Sequence, residues 1–172
     1  FQPFSNAVSI SAQEDETAGT SIGGSLILNH DNLQTLCLME GLYEYPELNS
    51  KLYLMYKSIT KIEGLHAYKN LRALYLENNL IKKIEGLEPL PDLESLFVHN
   101  NMITVIENLT AVPKLKILNL SCNQIWKLEG LAHLTELQSL AISHNYLKDY
   151  ESIEHLRECS LTLTNVDLSN NK

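Results

Sequence analysis

The sequence predicts an α/β repeat solenoid: a right-handed coil of short parallel strands on a concave face and irregular or 3₁₀ returns on a convex face, with a helical cap at its N-terminal end. Three observations predict it. Apolar residues recur at a fixed spacing of 22 residues, each recurrence opens on the pattern L-x-x-L-x-L, and an Asn follows the last of these leucines by three residues.

Leu71, Leu93, Leu115 and Leu137 open successive units. The fourth position then reads Leu74, Leu96, Leu118 and Leu140, and the sixth reads Leu76, Val98, Leu120 and Ile142. The ninth is Asn79, Asn101, Asn123 and Asn145, and the eleventh is Ile81, Ile103, Ile125 and Leu147. Ile84, Ile106, Leu128 and Tyr150 occupy the fourteenth, and Leu87, Leu109, Leu131 and Ile153 the seventeenth. No such unit closes a core alone, so neighbours must stack and fuse these columns into one apolar interior. At each turn the Asn amide, donor and acceptor at once, satisfies backbone groups that stacking would otherwise bury unpaired. The Asn column, continued by Asn171, is therefore read as structural. The pattern resembles that of leucine-rich repeats.

The elements follow in chain order. Residues 1–30 are rich in Ser, Ala, Gly and Thr around Glu14, Asp15 and Glu16, and are read as a flexible tail. Residues 31–48 are read as the cap and its lead-in. Asp31 with Gln34 suggests a capping box, Leu33, Leu36 and Cys37 share one helical face, and Gly41 ends the helix, giving a span of about Asn32 to Glu40. The repeat domain is 49–172, about six units with the last incomplete. Its first unit is degenerate, with Leu52, Leu54, Ile59, Ile62, Leu65 and Tyr68 in the apolar positions and Lys57 in place of Asn. Its last opens near Leu163 after a spacing of 26, so the preceding return, around His155 to Thr162, gains a helical turn or two. Because Phe1 is not an initiator Met and the array stops within a unit, the sequence reads as a piece of a longer chain.

Composition narrows the functional classes. A formal net charge of -8 over 172 residues disfavours direct contact with nucleic acid or anionic lipid. Cys37, Cys122 and Cys159 form an odd set without metal-type spacing, which suits a reducing compartment. With neither a membrane-length apolar run nor a signal sequence, the expectation is a cytoplasmic protein without membrane contact.

On the concave sheet the third, fifth, seventh and eighth positions face solvent, and equivalent positions stack into stripes about 5 Å apart. The fifth position reads Tyr53, Tyr75, Phe97, Asn119, Ala141 and Asp167; the seventh reads Met55, Glu77, His99, Ser121, Ser143 and Ser169. The first three units thus carry aromatic rings with acidic and His neighbours, the composition of an interaction hot spot, and the later units have the small polar character of a rim. Tyr53, Met55, Tyr56, Tyr75, Glu77, Phe97 and His99 are the candidate protein-binding residues; β-strand preference alone is the bland alternative for the rings. Trp126, where other units have Thr60, Lys82, Thr104 and Lys148, is a candidate contact on the flank. Asn100, Cys122 and His144 share the eighth position on adjacent units, but an open sheet gives them neither an oxyanion hole nor water exclusion. Cys122, His144 and His99 likewise lack a paired ligand motif. No catalytic residue, metal or cofactor is expected.

Two resemblances add to this reading. Residues 71–92 (LRALYLENNLIKKIEGLEPLPD) and 93–114, with Ile106-Glu107-Asn108-Leu109, look like the 22-residue class typified by the regulatory subunit of type-1 protein phosphatase. The cap through Leu42-Tyr43, the run Pro46-Glu47-Leu48-Asn49 into Leu52-Tyr53-Leu54, and the irregular His155-Leu156-Arg157-Glu158-Cys159 before Val166-Asp167-Leu168-Ser169 resemble the axonemal dynein assembly factors of cilia. The second resemblance implies a cytoplasmic, cilium- or flagellum-associated scaffold binding dynein chains or assembly chaperones. The first implies a phosphatase catalytic subunit as partner, although such a regulator is expected to carry more repeats with an acidic and aromatic face that does not fade after Phe97. A protein-binding component of a ribonucleoprotein complex is the third alternative.

Overall fold

The structure is a computed structural model describing residues 25–159 and 162–171. Strand β1 (Leu26–Ile27) leads into helix α1 (His30–Met39). Two further strands follow, β2 (Lys51–Tyr53) and β3 (Ile59–Lys61), and then one strand per repeat: β4 (Ala73–Tyr75), β5 (Ser95–Phe97), β6 (Ile117–Asn119), β7 (Ser139–Ala141) and β8 (Asn165–Asp167). The short helix α2 (Leu156–Cys159) precedes β8.

A parallel sheet of six strands runs β2-β4-β5-β6-β7-β8, and its register follows the sequence period, Leu52 beside Leu74, Leu96, Leu118, Leu140 and Val166 in turn. Three-residue strands suffice because each unit needs only one inward residue flanked by two outward ones. Leu52, Leu74, Leu96, Leu118 and Leu140 are buried, as are Leu54, Leu76, Val98, Leu120 and Ile142 behind them. Each Leu withdrawn from water in this way contributes about 2 kcal/mol. The eleventh-position column Ile59, Ile81, Ile103, Ile125 and Leu147 closes the core from the turn side.

The Asn ladder supplies the polar side of the stacking. Asn123 Oδ1 accepts from Ile103 N at 3.0 Å, while its Nδ2 donates to Val98 O at 3.0 Å and Leu120 O at 2.9 Å. Asn101 and Asn145 repeat this pattern. Asn79 bonds Lys57 N, Ile59 N, Leu54 O and Leu76 O, and Asn171 bonds Asn145 N, Leu147 N, Ile142 O and Leu168 O. Each amide thus ties one unit to the unit before it. Lys57, which lacks the amide, turns outward to Glu40 of the cap at 3.0 Å.

The N-terminal cap differs from the sequence expectation in two respects. Its capping box is Asn29 with Asn32, not Asp31 with Gln34: Asn29 Oδ1 accepts from Asn32 N at 2.9 Å and Asn32 Oδ1 from Asn29 N at 2.8 Å. The helix therefore starts at His30. The cap also begins upstream of residue 31, since β1 pairs with β3 and Leu28 is wholly buried. Of the segment read as a tail, residues 1–24 lie outside the described residues. Gly41, at φ +71, ends α1 as expected, with Gly41 N bonded to Leu38 O and Leu42 N to Cys37 O. Buried Cys37 lies 3.3 Å from the hydroxyl of buried Tyr68, and burial pushes the ionisation of both upward.

The other correction falls in the irregular unit. Tyr150, placed by its period in the fourteenth-position core column with Ile84 and Ile106, is 62% exposed, and Ile153 is only half-buried. Asp149 starts a 3₁₀ turn over Glu151–Ile153, accepting from Ser152 N at 2.9 Å, and Ser152 O takes the bond from Leu128 N. Small buried Ser152 thereby fills the inner side of the turn, and the ring is turned outward. The helical turn expected in this return is present as α2.

Candidate protein-binding face

The outward side chains of the first three sheet strands converge on one stripe. In-register pairing sets Tyr53 beside Tyr75 and Tyr75 beside Phe97. Their ring centroids are 4.9 and 4.8 Å apart, with interplanar angles of 24° and 5°. This is the spacing of neighbouring strands, so the sheet itself stacks the rings. Stacking consumes the ring faces between them and presents ring edges to the groove. All three are half-buried.

Beside the rings, Met55 and Glu77 are half-buried, as is His99, and Tyr56 is 75% exposed at a φ of 57°. Glu77 Oε2 and His99 Nδ1 are shielded from solvent and bonded to nothing among the described residues. Further along the sheet the polar groups satisfy one another. Asn119 accepts from Ser121 N at 3.1 Å, Ser143 donates to Ser121 at 3.0 Å, and Asp167 accepts from Ser169 N at 3.0 Å. The bonds from Ser169 hold the Asp167 carboxyl below its ordinary range.

Tyr43, Tyr45 and Leu48, read from the sequence only as lead-in to the first strand, are exposed apolar side chains at the N-terminal edge of this face. Tyr43 and Leu48 line a groove of about 330 Å³ with Lys51 and Tyr53. Asn49 organises this loop, bonding Tyr43 N and Tyr43 O at 2.9 Å each. The apolar periodicity of the repeats carries no information about side chains outside the register, so the extension of the stripe was not visible from it.

Trp126 is 58% exposed on the flank beyond the Asn turn, in a groove of about 450 Å³ shared with Tyr146 and Lys148. The opposite flank carries ion pairs between consecutive repeats: Glu94 with both Arg72 and Lys116, and Asp92 with Lys114. These partners hold the Asp92 and Glu94 carboxyls below their ordinary range.

Asn100, Cys122 and His144, expected on adjacent strands, lie just beyond them in the turns. Each is left-handed, with φ of 54°, 56° and 55°, as are Tyr56, Asn78 and Asn170 at the same position. Their coincidence is a backbone column, one sharp turn per repeat. Among the described residues no group of three His, Cys, Asp or Glu side chains is arranged to hold a metal ion, and no helix is long and apolar enough to cross a membrane.

This geometry defines a leucine-rich-repeat solenoid, an architecture of protein–protein interaction scaffolds. Residues 91–133 match the family described as Leucine Rich repeats (2 copies). Among solved structures, the chain is similar to an internalin (inlF) from Listeria monocytogenes str. 4b F2365, at 25% identity and a TM-score of 0.55. That alignment covers 81% of this chain and 45% of the internalin, so the chain spans less than half of that protein's length. No curated protein matches the chain.

Proposed function

We propose that the chain binds a protein partner through the concave face of its first three repeats, and that it does so as a cytoplasmic, cilium- or flagellum-associated factor in the assembly of axonemal dynein arms. The observation that carries the binding surface is the ladder of Tyr53, Tyr75 and Phe97 rings, a stacked aromatic band that the same column replaces with Asn119, Ala141 and Asp167 further along the sheet. Ring anchors of this kind dominate binding energy, and the small side chains of later repeats form the rim. The assembly role rests on the resemblance of the cap, the Pro46–Asn49 lead-in and the irregular return before β8 to the dynein assembly factors. The dynein chains or their assembly chaperones are then the partners.

A pull-down with the full-length protein, read by mass spectrometry, tests both parts. Recovery of dynein chains or chaperones, lost on Tyr75→Ala and Phe97→Ala, is the expected result. Recovery of a phosphatase catalytic subunit, or of ribonucleoprotein components, replaces the assembly role with one of the alternative scaffolds. Recovery that is insensitive to the ring truncations but lost on Trp126→Ala moves the surface to the flank.

A further inference from the structure

We infer that the partner presents a basic side chain, Lys or Arg, next to an apolar one, and that Glu77 receives the charge. The inference rests on the ring stripe being the binding surface and adds the chemistry of what it binds.

Glu77 stands in the seventh-position column, where the other strands place Met55, His99, Ser121, Ser143 and Ser169. The fold is thus indifferent to the side chain at this position. A carboxylate here is nevertheless costly. Its Oε2 is withdrawn from water without a hydrogen bond, and no side chain among the described residues pairs with it. Its Oε1 is not shielded in this way, and that oxygen is the one a ligand can reach.

The surroundings select a cation. Across the third, fifth, seventh and eighth positions of β2, β4 and β5 and the turns that follow them, Glu77 is the sole acidic side chain. The next acid on the face, Asp167 on β8, lies four strands away, roughly 19 Å at about 4.8 Å per strand. The stacked rings flank the carboxylate with ring edges, over which the aliphatic stem of a Lys or Arg can lie while its head reaches the oxygen. His99 holds the same seventh position after the adjoining strand, and its Nδ1 is likewise shielded and unbonded among the described residues. An incoming cation satisfies a group the fold leaves unpaired, and an incoming carboxylate is repelled.

A randomised peptide library displayed on phage, panned against the chain, tests this whatever the partner's identity. Peptides whose capture is lost on both Tyr75→Ala and Phe97→Ala are the stripe binders. They are expected to share a Lys or Arg adjacent to an apolar residue. Their affinity should fall at least about tenfold on Glu77→Gln, the scale of a lost hydrogen bond to a charged group. Acetylating the peptide's lysine should reproduce the loss, reading the same contact from the other side even where the variant folds poorly. Stripe binders without a basic residue, or ones that bind the Glu77→Gln chain equally well, overturn the inference and leave the binding surface standing. Peptides that all survive both ring truncations overturn the surface and this inference together.

Discussion

Removing one rung of the Asn ladder tests how the repeats are held together. In Asn123→Ala the deleted amide leaves Ile103 N without its partner at 3.0 Å and removes one of two bonds from Val98 O and from Leu120 O, which still accept from Asn101 Nδ2 at 3.1 Å and Asn145 Nδ2 at 3.0 Å. Asn123 is buried, so water does not simply replace it. The buried N–H left unpaired costs about 1–3 kcal/mol and each lost carbonyl bond about 0.5–1.5 kcal/mol, for a total of roughly 2–5 kcal/mol after local relaxation. Urea denaturation followed by far-UV circular dichroism reads this as a lower midpoint at unchanged slope. Asn123→Asp sharpens the test, because it preserves shape but turns an ionised oxygen toward two carbonyls. Its folded-state pKa must rise, since only the protonated acid can donate there. The sign follows: a raised folded value means that stability is present below the ordinary Asp range and is lost as pH rises through the folded value. The Asp variant should therefore recover part of its deficit relative to the parent as pH falls. A midpoint shift below about 1 kcal/mol in Asn123→Ala, or an Asp deficit independent of pH, would refute the ladder's role.

Other perturbations separate the remaining contributions. Leu118→Ala, in a central and fully buried position, should cost about 2–5 kcal/mol by cavity formation, read by the same denaturation. Gly86→Ala and Gly41→Ala both place a Cβ at positive φ, but at Gly86 that atom falls 2.1 Å from Ile62 O and at Gly41 it meets nothing within 4 Å. The first should therefore destabilise well beyond the second, whose cost is left-handed backbone strain of about 1 kcal/mol. Cys122→Ser, in an exposed turn, should leave stability within about 0.5 kcal/mol and partner binding unchanged; hydrolytic turnover that disappears in this variant would overturn the scaffold reading. Because Asp92 and Glu94 titrate below their ordinary range, their ion pairs stabilise at neutral pH and are lost as pH falls below about 4. Asp92→Asn with Glu94→Gln should accordingly flatten the denaturation midpoint's dependence on acid.

How much was legible in the sequence depended on how strictly a residue obeyed the period. Leu74, Leu96, Leu118 and Leu140 occupy the same backbone environment in successive units, so their burial and register could be read from one column. Tyr53, Tyr75 and Phe97 were legible for the same reason, as the residues one step outward from that column. The period misled at Tyr150, where the return departs from that of the earlier units ahead of the four extra residues and Ser152 takes the inner position. It was silent at Asn29 with Asn32, a reciprocal pair of amides in which Asn32 stands where a Glu or Gln usually marks a capping box. It also misrepresented Asn100, Cys122 and His144, whose shared position reflects a left-handed turn that one-dimensional spacing cannot distinguish from a constellation of side chains.

The same periodicity explains why the fold and the binding face can be assigned to different residues of one strand. Leu74 points inward, and Leu74→Ala would open the core shared with the neighbouring units. Tyr75 points outward and contacts chiefly Tyr53 and Phe97, which the sheet holds at stacking distance whatever their ligand. Because the outward column is freed from the core, its composition can vary from rings to Asn119, Ala141 and Asp167 along one sheet without disturbing the register. The stripe thus changes character at β6 across a boundary that the core does not dictate. The unpaired Glu77 lies on the aromatic side of that boundary, among the residues whose identity the core does not dictate.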